Sequence, residues 1–202
     1  MELDEFKENW NNLQQQQKEL ETNTINKIIM NTTITINEMQ QKHSYWSNFA
    51  KVVFPALIVV LIINLAIGYF APVRHTAFLP RVSYALIMII FAVASLYMYR
   101  WQENILNHYN AGDLKASLAK TIKDFRRFYL FYNLVYLVLY PAYFYAMFKL
   151  LVNEVLHLSE NTTLISSAVL SILSMVAGHI YYRVTYFKRI RSLQADLREL
   201  EN

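Results

Sequence analysis

The chain has 202 residues, of which 55% are apolar and only 17% charged, and its formal net charge is +4. Three Gly and four Pro supply little of the turn chemistry a sheet protein needs, so an all-α fold is expected. The lack of cysteine excludes disulfide frameworks, thiolate metal sites and cysteine nucleophiles.

Residues 1–50 read as a polar helical arm. Leu3, Phe6, Trp10, Leu13 and Leu20 follow heptad spacing, with Gln17 in the one missing place, and Ile25, Ile29, Thr32, Ile36 and Met39 form a second stripe. The Asn-rich and Thr-rich stretch Asn31 to Asn37 is a weak helix former by itself. Between Met1 and Thr22 six carboxylates face Lys7 and Lys18, leaving a net charge of −4.

Four runs without Asp, Glu, Lys or Arg follow, at 52–71, 82–99, 128–148 and 164–182. At about 1.5 Å per residue they cover roughly 27–32 Å, the thickness of a bilayer's hydrocarbon core. The bundle they form is expected to occupy 51–184, with a helical loop at 100–127 and an amphipathic tail at 185–202. In the loop, Asp113 can cap a helix whose face is Leu114, Leu118, Ile122 and Phe125. In the tail, Tyr186, Ile190, Leu193, Leu197 and Leu200 form one stripe. Ala66 and Gly68 in the first span, and Ser171, Ser174, Ala177 and Gly178 in the fourth, are small enough to let helices approach closely.

Sixteen of the 19 Lys and Arg residues lie in the arm, the 100–127 loop and the tail, and only Arg74, Arg81 and Lys149 lie between the other spans. This asymmetry predicts a multi-pass inner-membrane protein with both termini cytoplasmic and no cleaved leader. Trp46, Tyr99, Trp101, Tyr129, Tyr181 and Tyr182 fall at the cytoplasmic ends of spans, where amphipathic rings are favoured. The basic stretches Lys120 to Arg127 and Arg183 to Arg191 lie beside lipid headgroups, whereas the acidic arm is repelled by an anionic surface.

No catalytic or cofactor site is visible. The five His residues are scattered without metal-ligand spacing, and phosphate loops and nucleophile elbows are absent. His179, Asn64 and Asn133 read as hydrogen-bonded residues at depth. Tyr129, Tyr132, Tyr136, Tyr140 and Tyr143 line one face of the third span, and Pro141 should kink that helix and free carbonyls for their hydroxyls.

The opening Leu3-Asp4-Glu5-Phe6-Lys7-Glu8-Asn9-Trp10-Asn11-Asn12-Leu13 resembles small polytopic membrane proteins encoded beside extracytoplasmic-function sigma factors. Those proteins begin with Leu-Asp-Glu-Leu-Lys-x-x-Trp-x-x-Leu and are regarded as anti-sigma factors. Leu3, Asp4, Glu5, Lys7, Trp10 and Leu13 match, and Phe6 stands in for Leu. Asn110 to Arg127 is similar to the family's middle loop. The zinc-binding pattern of the other anti-sigma class is lacking. The resemblance implies a non-enzymatic regulator that holds a cytoplasmic sigma factor through Leu3, Phe6, Trp10 and Leu13, without direct contact to nucleic acid. A ligand sensor or transporter using the Tyr-lined span, and a homodimer zipped through arm and tail, are the alternatives.

Overall fold

The computed structural model describes residues 3–70, 78–108 and 113–200, with arm side chains described continuously from Thr22. It is all-α: α1 (Leu3–Phe70), α2 (Phe78–Asn107), α3 (Leu114–Met147), the short α4 (Asn153–Leu156), α5 (Glu160–Tyr182) and α6 (Lys188–Glu199). Four helical runs are long and apolar enough to cross a membrane, so the chain is a multi-pass membrane protein.

The bundle is inside out relative to a water-soluble one. Ser95, Thr163, Ser167, Ser171 and Tyr136 are buried, whereas Leu130, Leu134 and Val138 on α3 and Ile165, Ile172 and Val176 on α5 point outward. Lipid is as apolar as a leucine side chain, so burying leucine between helices gains little there; small and polar residues take many of the contacts, beside an apolar patch of Leu61, Met88 and Leu150. The hydroxyls of Ser167 and Ser171 bond back to the carbonyls of Thr163 and Ser167, each at 2.6 Å. Ala66 departs from its expected role, since it is exposed on α1. The burial of Gly68 lies outside the described residues.

Helix α1 packs on α2, α2 on α3 and α3 on α5, and α6 returns to touch both α1 and α3. Beyond the apolar runs, the stripes expected from the sequence meet each other. Ile36 and Met39 of the arm, Leu118, Ile122 and Phe125 of α3, and Ile190 and Leu193 of α6 form one core with Leu106. The arm's stripe is shifted at its start, where Ile28 is buried and Ile25 is 46% exposed. Its Asn-rich and Thr-rich stretch is helical because Thr32, Ile36 and Met39 are covered by packing, which outweighs intrinsic propensity.

Polar links fasten the same end. Gln40 donates through Nε2 to the Leu106 carbonyl at 2.9 Å, satisfying one of the orphan carbonyls of the last turn of α2. Lys51 pairs with Glu103 at 3.1 Å. Between α5 and α6 the backbone makes a π-helical turn, Arg183–Phe187, and Arg189 donates to the Thr185 carbonyl at 2.6 Å while its Nη2 holds Glu38 of α1 at 2.7 Å. Asp113 caps α3 through the Ala116 amide, and at the hairpin end Ser159 caps α5 through the Thr162 amide. Helix α3 runs on through Pro141, consistent with proline's tolerance in spans whose neighbours re-satisfy the backbone.

Thr32 donates to Asp196 at 3.0 Å, and the two residues are 0% and 9% exposed. Burial raises the Asp196 carboxyl above its ordinary value of 3.8, and the Thr32 bond opposes this. A carboxyl raised in the folded state stabilises fully below its ordinary value, and that contribution is lost as pH climbs through the raised value. The joint between arm and tail is therefore tighter in acid. Asp196→Asn is expected to melt a few degrees higher near neutral pH and to lose this dependence, which thermal unfolding in detergent from below pH 3.8 up to neutral pH would measure.

Candidate functional site: a tyrosine-walled cavity

Four helices leave a cavity of about 430 Å³ at the end of the spans nearest the termini. Helix α1 contributes His43, Trp46 and Phe54, and α2 contributes Phe91, Ser95, Met98, Tyr99 and Gln102, residues that helical periodicity places on one face. From α3 come Phe128, Tyr132, Tyr136 and Tyr140, four residues apart in turn. The far wall on α5 is built of small residues, Ser174, Ala177 and Gly178, before Tyr181 and Tyr182 close it. At Gly178 a methyl group would meet only the Tyr132 hydroxyl, at 3.6 Å, so the missing side chain widens the space.

The rings hold one another at an angle. Tyr132 lies 4.5 Å from Tyr136 and 4.8 Å from Tyr182, and Tyr136 lies 4.9 Å from Tyr140, all tilted, as ring quadrupoles favour. Two of their hydroxyls bond across helices. Tyr136 donates to Ser95 and Tyr182 to Gln102, each at 2.9 Å. This corrects the expectation that Pro141 would supply carbonyls for the hydroxyls: Tyr136 bonds a side chain of α2, Tyr129 bonds His179 of α5, and Tyr132 and Tyr140 bond each other. Asn133 differs too, bonding the Tyr129 carbonyl of its own helix at 2.7 Å rather than reaching across.

Of the five tyrosines expected on one face, Tyr132, Tyr136 and Tyr140 reach the cavity. Tyr129 pairs instead with His179 Nδ1 at 2.6 Å, and Tyr143 stacks on Phe91 at 4.1 Å. Gln102 and His43 belong to none of the patterns expected from the sequence. Ser95 and Gln102, one heptad apart on the same face of α2, were the available signal. His43 precedes the first apolar run and is 3% exposed. Burial holds its imidazole below the ordinary value of 6.5 while Glu103 acts the other way, so the ring is neutral at pH 7.

The expected partner-binding residues lie elsewhere. Leu3, Phe6, Trp10 and Leu13 all fall in α1, and Trp10 is 55% exposed. The side chains of Leu3, Phe6 and Leu13 lie outside the described residues. Among the described residues no three His, Asp or Glu side chains come together as a metal site. Compared with protein-family models, curated proteins and solved structures, the chain matches none.

Proposed function

We propose that the protein is a membrane-anchored regulator that binds and sequesters a cytoplasmic partner through the start of α1, with both termini on the cytoplasmic side. The partner that the resemblance implies is an extracytoplasmic-function sigma factor. The observation that carries this reading is the unbroken helix from arm to span. Thr32 bonds Asp196 of α6 and Ile28 is buried, residues 22–27 are exposed, and from Ile28 back to Leu3 the helix runs for about 37 Å. An acidic helix with an exposed Trp10, held off an anionic surface, suits a basic protein partner, since aromatic anchors and charge complementarity favour such interfaces. The concentration of Lys and Arg on the arm's side of the spans supports the sidedness.

In-cell crosslinking followed by purification of the full-length protein tests this. Sigma factors of that class are expected to co-purify with wild type and to fall at least ten-fold with Phe6→Glu combined with Trp10→Glu. Equal recovery from both would exclude the arm as the binding element.

A further inference from the structure

Two side chains in the cavity wall are nearly fully buried yet keep a nitrogen that makes no well-formed hydrogen bond in the protein: Nε2 of Gln102, 2% exposed, whose side chain has the Tyr186 hydroxyl beside it, and Nε2 of His43, 3% exposed, whose ring faces the Tyr99 backbone. Gln102 is anchored by the Tyr182 hydroxyl, which bonds its Oε1. With the oxygen so engaged, the amide nitrogen can only donate, and a buried donor without an acceptor is costly. The rest of the wall is rings and small residues, and among the described residues none that line it is Asp, Glu, Lys or Arg.

We propose that this cavity binds an uncharged, membrane-soluble small molecule built on a flat ring that bears a carbonyl oxygen, as a quinone does. The oxygen accepts from Gln102 Nε2, the neutral His43 meets a second polar atom of the ligand, and the ring lies among Phe91, Tyr132, Tyr136 and Tyr182. A charged molecule would find no counter-charge there, which low-dielectric surroundings penalise heavily. The volume falls in the range of small-molecule sites, about 300 to 1,000 Å³. The entry route that this ligand would take is between α1 and α5. These helices pack on α2 and α3 rather than along each other, and Trp46 and Tyr181 stand edge to face between them at 6.1 Å.

The test uses the full chain in nanodiscs of zwitterionic lipid, with protein-free nanodiscs as reference, and titrates menadione, a neutral naphthoquinone. The absence of cysteine removes thiol addition as a confounding reaction. Saturable one-to-one binding is expected, weakened at least ten-fold by Gln102→Leu and abolished by Gly178→Leu, which fills the space. Ser192→Arg, exposed on α6 and outside the cavity wall, should bind as wild type does, and melting curves establish that each variant is folded. The flat anion 2-naphthoate should not compete. The proposal is overturned by binding no greater than to protein-free nanodiscs, by unchanged affinity in both Gln102→Leu and Gly178→Leu, or by equal binding of 2-naphthoate. A phospholipid retained in native mass spectrometry and not displaced by menadione overturns it as well. None of these outcomes depends on which protein the arm holds.

Discussion

Phe128→Ala is expected to cost about 3–5 kcal/mol of stability, the range for truncating a fully buried phenylalanine. Phe128 is 0% exposed and sits where the membrane part of the bundle meets the part outside it. Its ring contacts Trp101 at 5.5 Å, Phe125 at 6.1 Å, Tyr132 at 6.0 Å and Tyr182 at 6.4 Å, so its loss opens a hole shared by α2, α3 and α5. Close-packed neighbours relax only partly into such a hole. Thermal unfolding in detergent should show a midpoint lower by about 10 °C, at a few degrees per kcal/mol for a chain of this size. Phe128→Leu, nearer in volume, should cost less than half as much. A loss below about 1 kcal/mol for the alanine variant would mean that this junction is not a packed core.

The second large effect lies on the outer surface. Val138 is at the centre of the 128–148 run and is 68% exposed, which in this bundle means exposed to lipid. An arginine at a span's centre costs about 2.5–3.5 kcal/mol of insertion free energy, on the order of a hundred-fold in the insertion equilibrium. Val138→Arg is therefore expected to impair insertion of the third span, read as accumulation of mis-inserted protein in a glycosylation-mapping assay. Ser192→Arg, on the exposed face of α6, should insert like wild type. If Val138→Arg also inserted normally, the outward face of α3 would be in contact with water or protein.

How much of this arrangement is legible in the sequence depends on the kind of signal involved. The four spans are legible because a soluble domain rarely has enough core to surround several long uncharged runs, and the stripes Leu118, Ile122, Phe125 and Ile190, Leu193 are legible because helical period fixes the buried face. Continuity of α1 is hidden, since the residues between Asn31 and Asn37 favour helix weakly and owe their conformation to α6, which lies 164 residues away at the Thr32 and Asp196 contact. The π-helical turn at Arg183–Phe187 has no sequence signature in residue type. The tyrosines of α3 declare a shared face, but which of them meet at a cavity depends on the small residues of α5 opposite Tyr132. Periodicity within one helix carries no information about what the next helix offers. Gln102 and His43 stay hidden for the same reason: their importance lies in bonds they do not make.

His43 and Trp46 in the cavity wall and Trp10 near the tip of the arm belong to one rod, α1, without a glycine or linker between them to absorb motion. From Ile28 to Leu3 that rod runs about 37 Å beyond its contacts with α2 and α6, so a tilt of about 10° there swings the tip by about 6 Å. A hinge-free lever of this kind would convert a small repacking among rings at the bilayer edge into a displacement larger than a water molecule, far from where the repacking occurs.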